Sequence, residues 1–215
     1  FLAPEFAFST LGALVPIKTG AIGVSVKRLG FNQFNQTKIG LAYGMRLAPT
    51  LSAGIQLNAH HLFFAGEYGS ASAITAEGGI IYSPNSKLDV GFHILNPTRT
   101  KIYQDNQSDE RISTIFNLGL AYQLGDMVLV TSGVEKNIDA DFSFKAGVEF
   151  EPIKNITFRT GMASKPSMLS FGMGYNLQSF HIDFAFTRHE YLGYTPHFSL
   201  SYVFGAKASS TTETE

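Results

Sequence analysis

The chain has 215 residues, 44% of them hydrophobic and only 15% charged, against about a quarter charged in an ordinary soluble domain. Yet no run approaches the roughly 18 consecutive apolar residues that a transmembrane helix needs. A net charge of −1 gives no electrostatic footprint for nucleic acid, and the absence of Cys points toward an oxidising envelope compartment.

Taken in chain order, the sequence alternates between apolar and polar or small residues almost from end to end. That is the period of strands with two different faces. The chain opens at Phe1-Leu2-Ala3-Pro4 with no export signal in view, so the expectation for an exported protein is that the signal lies upstream. Strands are predicted near 5–16 and 20–31, joined by Ile17-Lys18-Thr19-Gly20. In the next, 36–48, Ile39, Leu41, Tyr43, Met45 and Leu47 alternate with Lys38, Gly40, Ala42, Gly44 and Arg46. Strands at 51–64, 71–83 and 87–95 follow, and then the longest connection, 96–111. In 112–124, Phe116, Leu118, Leu120 and Tyr122 alternate with Asn117, Gly119, Ala121 and Gln123. The remaining strands are 126–136, 140–151, 154–163, 167–177, 179–188 and 195–204, the last carrying Phe198, Leu200, Tyr202 and Phe204 on one face.

The connections fall into two alternating kinds. Tight ones carry turn residues, as in Ala48-Pro49-Thr50, Ser83-Pro84-Asn85-Ser86, Leu124-Gly125-Asp126, Pro152-Ile153-Lys154-Asn155 and Leu177-Gln178-Ser179. The others, 32–35, 65–70, 96–111, 137–139, 164–166 and 189–194, are mostly longer. Short periplasmic turns alternating with longer outside loops are the pattern of outer-membrane barrels, and strands of about 10 residues suit an apolar band about 25 Å tall. The predicted fold is therefore all-β, an antiparallel transmembrane β-barrel over residues 1–205. About 13 strands are visible; because such barrels have an even number, the expectation is roughly 14, with the first strand and any N-terminal plug outside this sequence. Residues 206–215, ending Ser-Ser-Thr-Thr-Glu-Thr-Glu, are expected to be a disordered polar tail.

A repeat runs through the strands that lead to the short turns. Gly40-Leu41-Ala42-Tyr43 recurs as Gly79-Ile80-Ile81-Tyr82, Gly119-Leu120-Ala121-Tyr122, Gly147-Val148-Glu149-Phe150, Gly172-Met173-Gly174-Tyr175 and Ser199-Leu200-Ser201-Tyr202. Each copy sets an aromatic on the apolar parity a few residues before the turn. This predicts a lipid-facing periplasmic girdle of Tyr43, Tyr82, Tyr122, Phe150, Tyr175 and Tyr202.

The opposite parity should face the lumen. It carries Lys38, Arg46, Gln56, Asn58, His60, Glu77, Asp89, His93, Asn117, Lys145, Glu149, Arg159, His181 and Asp183. Isolated charges there are costly, so a lumen polar network is expected, with Glu77, Lys145, Glu149, Arg159, His181 and Asp183 as its charged members. The competing reading of the same residues is a path for a ligand or ion. His181 with Asp183, or His189 with Glu190, could begin an acid–base set, but no third partner is implied. His60 and His61 point to opposite faces and make a poor metal pair. With no phosphate loop, zinc spacing or calcium loop, no enzyme activity, cofactor or nucleic-acid partner is expected. The 96–111 loop offers Arg99, Lys101, Tyr103, Asp109 and Glu110 as candidate contacts for a partner.

Several stretches carry a resemblance. Lys38-Ile39-Gly40-Leu41-Ala42-Tyr43, the loop entry Phe92-His93-Ile94-Leu95-Asn96-Pro97 and the re-entry Asp109-Glu110-Arg111-Ile112 are similar to Bacteroidota outer-membrane barrels of the PorV/PorQ type. So are Phe180-His181-Ile182-Asp183-Phe184-Ala185-Phe186, Leu192-Gly193-Tyr194 and His197-Phe198-Ser199-Leu200-Ser201-Tyr202-Val203-Phe204. That type sits within the wider FadL-like group of barrels. The PorV-like resemblance implies a protein-binding accessory subunit of a type IX secretion or surface assembly, holding an envelope protein partner. The FadL-like resemblance implies a transporter of hydrophobic small molecules across the outer membrane. On the expectation that side chains fill the lumen and block free conduction, the accessory reading comes first and transport is its alternative.

Overall fold

The structure is a computed structural model that describes residues 8–31, 33–65, 69–102, 111–190 and 193–204. Among these residues are thirteen strands and no helix: β1 (Phe8–Ile17), β2 (Gly20–Gly30), β3 (Phe34–Ala48), β4 (Leu51–Phe64), β5 (Ser70–Asn85), β6 (Leu88–Leu95), β7 (Ile115–Leu124), β8 (Val128–Asn137), β9 (Phe142–Ile153), β10 (Ile156–Ala163), β11 (Met168–Leu177), β12 (Phe180–His189) and β13 (Gly193–Tyr202). They form one antiparallel sheet in which every strand lies beside its neighbours in the chain. The all-β antiparallel reading holds, and most predicted strands match to within two or three residues. The expected tail at 206–215 lies outside the described residues.

The chain divides into two compact units, one running through Leu120 with Gly133–Phe142 and the other comprising Ala121–Ser132 with Ser143 onward. In the first, direct cross-strand pairs fix the faces. Ile22, Tyr43, Ile55 and Gly78 stand in one row, and Val24, Leu41, Leu57 and Ala76 in the next. In the second, Phe150, Phe158, Met173, Phe184 and Phe198 form a row. These apolar faces are bare: Leu57 is 58% exposed and Phe198 71%. The largest fully buried side chains are instead polar, with Asn58 and Thr75 both at 1%. A face that exposes its large hydrophobics and encloses its amides is built for a hydrocarbon solvent.

The tight turns follow from local chemistry. Lys18 and Thr19 alone connect Ile17 to its partner Gly20. A Cβ at Gly20 would lie 2.2 Å from the carbonyl oxygen of Gly44, so only glycine lets β3 approach that turn. At the other end of β2, Gly30 takes φ +106° and a Cβ there would meet the carbonyl of Phe34 at 2.2 Å.

At one boundary the difference from the sequence reading has a local cause. The strand predicted from Ile112 begins at Ile115, because the intervening residues close the base of the preceding loop. Ile112 N donates to Thr100 O (3.0 Å), and the Thr114 hydroxyl donates to Asn96 O (2.6 Å).

Candidate functional site

The polar face of the first unit gathers around one carboxylate. β4 and β5 place Gln56 directly opposite Glu77 and Asn58 opposite Thr75, while β3 sets Lys38 opposite His60. Glu77 Oε1 accepts from Lys38 Nζ at 3.0 Å, Gln56 Nε2 at 3.0 Å and Asn58 Nδ2 at 2.7 Å; its Oε2 lies 3.0 Å from His93 Nε2. Gln56 also donates to Asn58 Oδ1 at 2.6 Å, and His60 Nε2 lies 2.9 Å from Thr75 Oγ1. Gly40 makes the room: a Cβ there would sit 2.5 Å from the Gln56 amide nitrogen and 2.7 Å from Ser25 Oγ.

The polar face of the second unit is organised around a cation. Arg159, paired across β10 with Glu149 of β9, donates through Nε to Glu149 and through Nη1 to Asp183 of β12. Ser199 Oγ donates to the other oxygen of Asp183 at 3.3 Å. Gly174 stands beside this ion triad, where a Cβ would fall 2.7 Å from Asp183 Oδ1. His181 is engaged separately, its Nδ1 2.6 Å from Asn176 Oδ1. Lys145 stands on the same face opposite Ala163.

The six expected network members are thus distributed rather than pooled. Glu77 belongs to the first unit's cluster; Glu149, Arg159 and Asp183 form the second's. Lys38, Gln56, Asn58 and His93 matter as much as any of the six. Alternation placed them on the polar parity, but only the cross-strand register shows that they converge on Glu77. Between the charged groups the polar face is lined by small residues. Ala21, Gly44, Gly54 and Gly79 make one continuous row, and Gly147 and Gly161 are directly paired in the second unit. At Gly40, Gly147 and Gly174 neighbouring side chains lean into the room that the missing Cβ leaves.

The loop after β6 has a built base that sequence reasoning missed. Asn96 is fully buried and holds φ +48°, a left-handed conformation that Asn tolerates better than most residues. Its Nδ2 donates to Ile112 O at 2.6 Å, and its Oδ1 accepts from Thr98 Oγ1 and Thr100 N, each at 3.2 Å. An Asn before Pro at the end of an apolar strand was the available signal. Of the partner-loop candidates, Arg99 is held by Asp139 at 3.2 Å with both side chains about half exposed, and the backbone of Lys101 pairs with that of Arg111 in an isolated antiparallel β-bridge. Tyr103, Asp109 and Glu110 lie outside the described residues.

The aromatic set can be placed by unit. Tyr43 and Tyr82 share the apolar face of the first, since Tyr43 pairs with Ile55 and Tyr82 with Leu51 on the same strand parity. Phe150, Tyr175 and Tyr202 share the apolar face of the second, opposite Phe158, Ile182 and Phe180. Tyr122 lies on the exposed side of β7 with Leu118 and Leu120. On the apolar face of the first unit, a cavity of about 640 Å³ opens near the loop ends of β3, β4 and β5. It is bordered on that face by Thr37, Ile39, Ala59, His61, Ser72 and Ile74, and further by His60, Ala73 and Thr100 of the long loop. Among the described residues no cluster of His, Asp and Glu is arranged to hold a metal ion.

Comparison with solved structures supplies the fold's relatives. The toluene transporter TbuX of Ralstonia pickettii superposes with a TM-score of 0.65 at 11% identity, over 83% of this chain and 75% of its own. The monoaromatic hydrocarbon channel CymD gives 0.66 at 12% identity, over 90% of this chain and 81% of its own. A Pseudomonas aeruginosa FadL homologue gives 0.54 at 14%, over 84% and 69%. The fold is that of FadL-like outer-membrane barrels. No protein-family model matches the sequence, and no curated relative does.

Proposed function

We propose that this protein lies in the outer membrane of a Gram-negative bacterium and passes hydrophobic small molecules across it. The observation that carries the reading is the fold likeness to barrels described as toluene transporters and a monoaromatic hydrocarbon channel, extending over 83–90% of this chain. The polar faces agree with it. In such barrels that face turns inward, and here the Glu77 and Arg159 clusters engage acids and bases together among rows of glycine and alanine.

The accessory-subunit reading ranked first from sequence gives way. Nothing in the comparisons supports a PorV-type role in type IX secretion, an envelope protein partner or a Bacteroidota lineage; they favour the transport alternative.

The test is uptake. Cells lacking their own hydrocarbon channels and expressing this protein should accumulate radiolabelled toluene or a similar monoaromatic severalfold faster than vector controls, with no gain for a small sugar. A folded, outer-membrane-located barrel that leaves toluene uptake at the control rate would overturn the reading. Stoichiometric recovery with another envelope protein would then restore the accessory role.

A further inference from the structure

The outward face of the first unit changes character near the long-loop ends of its strands. One cross-strand row there is polar: Arg28, Thr37, His61 and Ser72 are consecutive direct partners on β2 to β5. The next row toward the short turns is Val26, Ile39, Ala59 and Ile74, and every large side chain in it is exposed. Ala59 is flanked by the much longer Ile39 and Ile74, so it forms the floor of a groove running along the strands. The cavity of about 640 Å³ lies over this step, with hydroxyls and an imidazole at its loop end and aliphatic walls beyond. That size is within the roughly 300–1,000 Å³ of pockets that enclose a small organic molecule.

Positive charge without a countercharge stands in the same row just beside the cavity, where Arg28 of β2 is the direct partner of Thr37 in its lining. No ion pair among the described residues engages Arg28. His61 Nδ1 lies 3.1 Å from Ser72 Oγ, which leaves Nε2 directed elsewhere. A guanidinium, an imidazole and two hydroxyls in one row match the acceptor oxygens of a phosphate, and a groove over Ala59 matches an extended acyl chain. We propose that this strip binds a phosphorylated acyl glycolipid of the outer leaflet, its phosphate at Arg28 and His61 and one chain over Ala59. The proposal rests on the outer-membrane placement above and is independent of what the barrel conducts.

The experiment uses the full chain, extracted from outer membranes and exchanged into detergent, with fluorescent bisphosphorylated lipid A as the probe and anisotropy as the readout. Folding of each variant is verified by its heat-dependent gel mobility. Removing a charge-assisted contact should weaken binding about tenfold, so Arg28→Gln is expected to show that loss. Ala59→Phe, which fills the groove, should do the same, while Arg46→Gln, on the opposite face, should bind as the parent does. Should Ala59→Phe not fold, Ala59→Met replaces it. Equal affinity for dephosphorylated lipid A would overturn phosphate recognition, and parental affinity in both Arg28→Gln and the groove variant would overturn the site. Full displacement by inorganic phosphate alone would reduce it to a free-anion site, and displacement by toluene would assign the groove to transport; either result overturns the lipid assignment.

Discussion

Replacing Glu77 with leucine removes the acceptor of Lys38 Nζ among the described residues and the shared partner of Gln56, Asn58 and His93. The cost is set by what is left behind. Glu77 and Lys38 side chains are 15% and 19% exposed, so an unpaired ammonium remains with little water around it. Breaking a buried pair from one side typically costs about 3–5 kcal/mol. The residual exposure brings the expectation for Glu77→Leu to about 3 kcal/mol, with part of that coming from the stranded amide donors. The control is Arg99→Gln. Arg99 and Asp139 are 51% and 49% exposed, and such pairs contribute about 0–1 kcal/mol. Urea unfolding of both variants in phospholipid vesicles, read by the gel mobility of the folded barrel, measures the difference. A second arm adds Lys38→Met to Glu77→Leu. Removing both charges should recover much of the loss, since a buried pair exchanged for apolar groups of similar volume is often nearly neutral. Equal midpoints for Glu77→Leu and Arg99→Gln, or no recovery in the double variant, would refute the account of Glu77 as the hub of this face.

Other outcomes follow from the same geometry. Arg159→Leu should cost less than Glu77→Leu, about 1–2 kcal/mol in the same unfolding assay, because Arg159, Glu149 and Asp183 are 44%, 34% and 38% exposed and water screens the charges left behind. Asn96→Ala should lose its buried side-chain hydrogen bonds and pay left-handed strain, about 2–3 kcal/mol felt locally. Limited proteolysis should then nick the 97–111 loop at least tenfold faster, with global unfolding little changed. The girdle can be mapped because the chain contains no Trp. Single Trp replacements at Tyr43, Tyr82, Tyr122, Phe150, Tyr175 and Tyr202 should each be quenched by lipids brominated near the headgroup. Quenching of half of them by aqueous iodide instead would break the girdle.

The sequence by itself determined the strand architecture. Alternation is a local property: successive side chains leave a strand on opposite sides whatever lies beside it, so Ile39, Leu41 and Tyr43 had to share a face that Lys38 and Gly40 did not. The tight turns at Lys18-Thr19 and Lys154-Asn155 were equally legible, since turn chemistry acts over a few residues. Which polar residues meet was decided by the tertiary structure. Lys38, Asn58, Glu77 and His93 come from four strands, and their convergence depends on pairing registers that no single strand specifies; a slip of one residue would turn Glu77 to the other face. The same dependence hid the groove over Ala59, which exists only because Ile39 and Ile74 are brought to either side of it. It also hid the small-residue row from Ala21 to Gly79: each glycine looked like strand grammar in its own segment, and only pairing across β2 to β5 aligns them.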